Sequence, residues 1–357
     1  MKNKLLALSA ALLLANGASA AVITYAATLT GAAEVPSTPS AGTGSAVVIV
    51  DTTANTMQVT VTFSGLTGTT TASHIHCCTA TTGSGNAGVA TTTPTFAGFP
   101  LGVTAGSYNN TLDLTQVSSY NPAFITANGG SVAASEAALL AGLAAGKTYL
   151  NIHTSSFPGG EIRGYLLTPI MVNNPLFTGL PGNCPTSWIC GGSPSPGFAS
   201  YSPTAVQYPG GSLFPTSAYS PTIYGGSGVI RQLTSMTWTG GTAYVLNLLA
   251  GLPLKEPDGV TPVAGWPNPN GAARVYLTMG NGFGQVAAFD IPSPAPGTWS
   301  SMPITFVLPT NSPAVGKSIG VMIYVSAPSG YSANFQIMPV PAFVCSGSVT
   351  TTSVCLD

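Results

Sequence analysis

The chain has 357 residues, 45% of them hydrophobic and 5% charged, with Lys+Arg 8 against Asp+Glu 9 for a net charge of -1. So little charge leaves neither a basic field to hold a phosphate backbone nor an acidic tail, which excludes nucleic-acid and polyanion partners. Repeated clusters of Val, Ile, Leu, Tyr and Phe exclude a disordered chain, and the length suits roughly two domains.

Lys2 and Lys4 form a basic head, residues 5–15 an apolar stretch, and Ala18-Ser19-Ala20 a small-residue cleavage site. Residues 1–20 therefore read as an export signal, and the mature protein is expected to be secreted, whether extracellular, periplasmic or at the cell surface. Residues 132–145 fall short of the roughly 18 apolar residues that span a bilayer and carry Glu136, so no membrane span is expected. All six cysteines lie downstream of the signal, which suits an oxidising compartment and disulfides.

Short Thr-, Val-, Tyr- and Ile-rich runs separated by Gly, Pro, Ser and Asn predict an all-β protein of two β-sandwich domains. Residues 46–51 and 57–63 are the first predicted strands; the second alternates Met57, Val59, Val61 and Phe63 with Gln58, Thr60 and Thr62, giving one buried and one wet face. The exception is 131–145, whose alanines and leucines predict one short helix ending at Gly146. Strands follow at 148–153 and 161–167, and Pro169 breaks the pattern. The domains are placed at 21–169 and 170–357. In the second, strands are expected near 228–234, 242–249, 274–278, 286–291, 302–308 and 319–325.

The three histidines of the chain lie in two short stretches, 73–76 and 149–154. On a strand, His74 and His76 project from one face about 6.5 to 7 Å apart, and His153 adds a third nitrogen if its strand lies beside theirs. Three neutral imidazoles suit copper or zinc. The competing reading is a structural polar cluster, in which the histidines bond carbonyls or join Glu34, Glu161 and Arg163. Glu161 and Arg163 share a strand face and are expected to form a local ion pair.

Ser73-His74-Ile75-His76, Tyr149-Leu150-Asn151-Ile152-His153-Thr154, Phe157-Pro158-Gly159-Gly160-Glu161-Ile162-Arg163-Gly164 and Ala33-Glu34-Val35-Pro36 together resemble the CHRD (chordin) domain family. That resemblance implies a compact extracellular β domain and little chemistry. The chain departs from it in having Cys77-Cys78 where many members have Gly-Pro. Those cysteines have three readings: a bond between neighbours, a bridge elsewhere, or thiolate donated to an ion at the adjacent histidines. The neighbour bond comes first, because spacing pairs Cys184 with Cys190 and Cys345 with Cys355.

Asn174-Pro175-Leu176-Phe177-Thr178-Gly179, with later segments around 226–232, 242–246 and 332–335, resembles jelly-roll modules of the galactose-binding-like, carbohydrate-binding class. This second half has no His, so it cannot assemble a Ser-His-Asp triad, and its Glu256 and Asp258 read as a turn. Sugar binding needs only flat aromatic faces and neutral polar groups, and Trp188, Trp266 and Trp299 lie in Pro/Gly-rich stretches where they serve as platforms if exposed. The function expected is non-catalytic: an extracellular module binding a glycan or a protein, with an extracellular copper- or zinc-binding protein as the alternative.

Overall fold

The computed structural model describes residues 22–175, 177, 184–185, 187–193, 198–201, 220–254, 262–264, 272–280 and 284–337. The expected export signal, Glu256, Asp258, Trp266, Cys345 and Cys355 lie outside them.

The first half forms one seven-stranded antiparallel sheet. Its strands are β1 (Val22–Thr30), β2 (Thr43–Asp51), β3 (Thr56–Ser64), β4 (Thr70–Cys77), β5 (Gly106–Asp113), β6 (Thr148–Thr154) and β7 (Ile162–Tyr165), in the order β4-β6-β7-β1-β2-β3-β5. The alternation in β3 does what its period requires: Met57, Val59, Val61 and Phe63 are all buried in the core, while Gln58 and Thr62 bond neighbours on the other face. The β2–β3 hairpin is in register from Thr43↔Ser64 to Asp51↔Thr56. Its turn is fixed by Asp51, whose Oδ1 accepts from the backbone N–H groups of Thr53 and Ala54, and by Asn55 in the left-handed region at φ 51°.

The sheet curls so that the segment after β4 runs back along that strand's free edge. Cys77 N donates to Gly88 O, Ala90 N to Ile75 O, and Ile75 N to Thr91 Oγ1. An exposed edge would otherwise leave a row of unpaired backbone groups. Two helices cover the core. The expected one is α2 (Val132–Ala144), capped by Ser131, whose side chain accepts from Ala134 N, and closed by Gly146 at φ 63° with Lys147 N donating to Gly142 O. A shorter one, α1 (Pro122–Ala127), precedes it; Asn121 caps it through Ala123 N, and Pro122 sits where no N–H is needed.

The second half is also all-β. After β8 (Thr168–Pro169) come β9 (Ile189–Ser193), β10 (Phe198–Tyr201), β11 (Ser220–Thr237), β12 (Ala243–Leu252), β13 (Ala272–Met279), β14 (Gly284–Asp290), β15 (Thr298–Val307) and β16 (Ser318–Ile337). The long β16 pairs with β11 over most of its length, with β13 along its first part and with β12 at its end, which lets one strand serve two layers. Its core gathers Leu246, Leu248, Val275, Leu277, Val321 and Ile323. The halves meet where β8 pairs in parallel with Tyr244 and Val245 of β12, over a small cluster of Leu167, Ala243 and Val245. No helix among the described residues is long and apolar enough to cross a membrane.

Candidate metal centre

β4 and β6 are antiparallel neighbours, with Ala72 opposite His153, His74 opposite Asn151 and His76 opposite Tyr149. Period two sends Ile75 and Cys77 into the core and turns His74 and His76 to the opposite side of the sheet, where His153 joins them. The ring centroids are 5.2 Å apart for His74 and His153, and 5.9 Å for His76 with each of the other two. His74 and His76 are buried and His153 half-buried.

Each ring has one nitrogen tied to a backbone carbonyl. The partners are Pro94 O for His74 Nε2 at 2.6 Å, Ala87 O for His76 Nδ1 at 2.9 Å and Pro158 O for His153 Nδ1 at 2.9 Å. A carbonyl only accepts, so these nitrogens carry the protons and the tautomers follow. The remaining nitrogens, His74 Nδ1, His76 Nε2 and His153 Nε2, are buried and have no hydrogen-bond partner among the described residues. Ring nitrogens, one from each histidine, lie within 4.8 Å of one another. Burial holds all three imidazoles below their ordinary pKa, His76 down to about 4, so they are neutral with lone pairs free at pH 7.

Around them lies a polar layer. His76 stacks on Tyr149 at 4.6 Å, and the Arg163 guanidinium sits 4.5 Å over the Tyr149 ring and 5.6 Å from the Tyr165 ring. Arg163 donates to Ala33 O, Asn86 Oδ1 and Tyr165 OH, and Glu34 Oε2 lies 3.7 Å from its Nε. Burial raises the Glu34 carboxyl to about 7, an effect Arg163 only partly offsets, and Glu34 Oε1 has no hydrogen-bond partner. Gly160, at φ 129°, lies where a Cβ would come within 2.5 Å of Asn151 Nδ2 and 2.8 Å of Glu34 Oε1, so this loop needs a glycine.

The expected Glu161–Arg163 pair does not form. Glu161 precedes β7, and its carboxylate is drawn away to the N–H groups of Thr67 and Gly68 and the hydroxyls of Ser40 and Thr154. Burial pushes this carboxyl up, but those bonds outweigh it and hold it below its usual value. The cation's carboxylate neighbour is Glu34 instead.

Cys77 and Cys78 are bonded to each other. Their sulfurs face α2, against Ala138 O and the Cα side of Gly142, on the opposite side of β4 from the imidazoles. The reading in which they give thiolate to the histidines is therefore corrected: strand alternation points residue 77 away from residue 76's side. Cys184 and Cys190 also form a disulfide.

Trp188 and Trp299 are corrected as platforms, while Trp266 lies outside the described residues. Trp188 is buried, 4.7 Å from the Phe177 ring, and its Nε1 donates to Asn174 O. Trp299 is buried beside Leu249. Rings buried to this extent have no open face to offer a sugar.

Sequence reasoning passed over Tyr149 and Asn86, and over the carbonyls of Ala87, Pro94 and Pro158. Tyr149 was open to discovery, because it shares a strand face with Asn151 and His153. The carbonyl partners carry no residue-type signal.

An all-β domain with three converging imidazoles on its outer layer is thus the unit to compare with known proteins. Residues 25–166 match the family model described as the CHRD domain, a segment that contains all three histidines, Glu34, Glu161 and Arg163. No curated protein matches the chain. Among solved structures, the chain is similar to a cyclase from Fischerella sp. TAU, with 18% identity, 43% of this chain and 82% of that one covered, and a TM-score of 0.36. It is also similar to TmCBM61 in complex with beta-1,4-galactotriose (10% identity, 43% and 89% covered, TM-score 0.28) and to a CBM4 structure (15%, 44% and 94%, 0.26). At these TM-scores the likenesses carry no argument about activity.

Proposed function

We propose that this is a non-catalytic extracellular binding protein whose CHRD segment holds one copper or zinc ion through His74, His76 and His153. The observation that carries the reading is the division of labour within each imidazole: one nitrogen fixed by a carbonyl, the other buried and without a partner. A purely structural histidine would use both nitrogens, because a buried unsatisfied polar atom costs about 1–3 kcal/mol. Three such atoms in one place are what a metal site with its supporting shell contains. An extracellular location is supported by the export-signal pattern and by disulfides of the kind that persist outside the cytoplasm. The non-catalytic part is supported by the carboxylates: Glu161 is held by four hydrogen bonds and Glu34 by Arg163, which leaves neither beside the imidazoles as an acid or base.

Elemental analysis of protein purified without a His tag tests this: about one ion per chain is expected, lost in His76→Ala and in His153→Ala. Wild-type protein that takes up neither metal at micromolar supply overturns the reading.

For the second half a binding role toward a glycan or an extracellular protein remains our reading. With Trp188 and Trp299 buried, a glycan would have to use other surfaces. Glycan-array binding by the full chain, unchanged by chelation of metal, is the expected signature of that role, and silence across the array removes the glycan.

A further inference from the structure

The histidine cage says something about the charge of its occupant, an inference that rests on the metal reading above. The donors are three imidazole nitrogens, which coordinate without bringing charge, and among the described residues the cluster includes no carboxylate or thiolate. The sulfurs nearest in sequence face α2. Glu161 is turned away to Thr67, Gly68, Ser40 and Thr154, and Glu34 lies against Arg163, so the adjoining layer offers the ion no net negative charge. An ion placed here keeps its whole charge. The cost of burying a net charge in a low-dielectric site grows as the square of that charge, so a divalent ion pays about four times what a monovalent one does.

The coordination number points the same way. Zinc sites take four ligands, three from protein and a water where the site is catalytic, or four from protein where it is structural. Here three nitrogens converge, their tips are buried, and the nearby Tyr149 hydroxyl is already bonded to Ala87. Copper(I), a closed-shell monovalent ion, is satisfied by three nitrogen donors, and imidazole suits it.

We infer that the cage is built for copper(I), bound by His74, His76 and His153, in preference to zinc. The geometry of support is consistent with that role: each ring is oriented by a rigid backbone acceptor, which fixes a small, neutral, three-nitrogen cage.

The test uses the full chain, metal-free and untagged, titrated without oxygen with copper(I) against the chelator bicinchoninate, and separately with zinc against a chromophoric zinc chelator. One copper(I) per chain is expected, bound at least about tenfold more tightly than zinc. X-ray absorption of the loaded protein should report three nitrogen neighbours. His153→Ala, whose ring is half-buried and whose loss the sheet tolerates better than that of His76, should remove the copper while circular dichroism shows the fold retained. Zinc bound as tightly as copper(I), and lost in His153→Ala, overturns the copper preference and leaves the metal reading standing. Copper(I) retained in both His153→Ala and His76→Ala overturns the assignment to these residues. Uptake of neither ion by the wild type overturns both inferences.

Discussion

His76 and Tyr149 face each other across the β4–β6 pair with their rings 8° from parallel, and both bond the same carbonyl, that of Ala87. The tyrosine hydroxyl thus holds the strap that sets which nitrogen of His76 is free. Removing it in Tyr149→Phe keeps the stacked ring and loosens the strap. The expected outcome is a metal affinity lowered about tenfold or more, the usual effect of losing an outer-shell partner, with thermal stability of the metal-free protein lowered by only about 1 kcal/mol. Competition titration and differential scanning calorimetry check the two numbers, and equal losses in both would reduce Tyr149 to a packing residue.

Glu161→Gln tests the one acid that ties four chain segments together. Its carboxylate accepts from Thr67, Gly68, Ser40 and Thr154, and an amide cannot accept at both ends. A loss of about 3 kcal/mol or more is expected in urea unfolding at pH 7, because a donor is left facing a donor in a buried site. A loss below about 1 kcal/mol would show that the loops are held by other contacts.

Glu34 gives a pH dependence of opposite sign to the usual carboxylate. Its folded value lies near 7 and its ordinary value is 4.5, so the folded state favours the protonated form. That contribution is fully present below pH 4.5, fades as pH rises toward 7 and is gone above it. Glu34→Gln, uncharged throughout, should match the wild type near pH 4.5 and exceed it by up to roughly 3 kcal/mol at pH 8. Urea melts across this range decide it; a difference that does not change with pH would mean Arg163 keeps Glu34 ionised.

Gly142→Ala places a methyl group 2.5 Å from the sulfurs of both Cys77 and Cys78. Overpacking of this kind costs about 1–3 kcal/mol. The penalty should shrink in the background of Cys77→Ala with Cys78→Ala, where the sulfurs are gone; an unchanged penalty in that double-mutant cycle would locate the clash elsewhere.

Trp188→Ala separates packing from recognition. The ring is buried against Phe177 and bonded to Asn174 O, so truncation should lower stability by about 3–5 kcal/mol. Near-native stability would return Trp188 to the surface.

Much of this was legible from residue order because period two is a strong signal where one face is apolar. β3 and the strand halves carrying His74, His76 and His153 follow directly from it. β5 did not announce itself: Gly106–Asp113 reads Gly, Ser, Tyr, Asn, Asn, Thr, Leu, Asp, and only Tyr108 and Leu112 are buried, too sparse an alternation for an edge strand. α1 was hidden by its six-residue length, below the span in which helical periodicity accumulates. The Glu161–Arg163 expectation failed because a shared face on paper assumes both residues are inside the strand, and Glu161 stands just before β7. The pairing of Arg163 with Glu34 depends on a contact between residues far apart in the chain, which local pattern does not encode.

The three carbonyls that orient the imidazoles come from separate stretches of chain, at Ala87, Pro94 and Pro158, and the rings from two strands. No single hairpin contains the whole constellation, so on the proposed metal reading the complete site exists only once these distant stretches have come together. Ion uptake would then report that the loops over the sheet have reached their places.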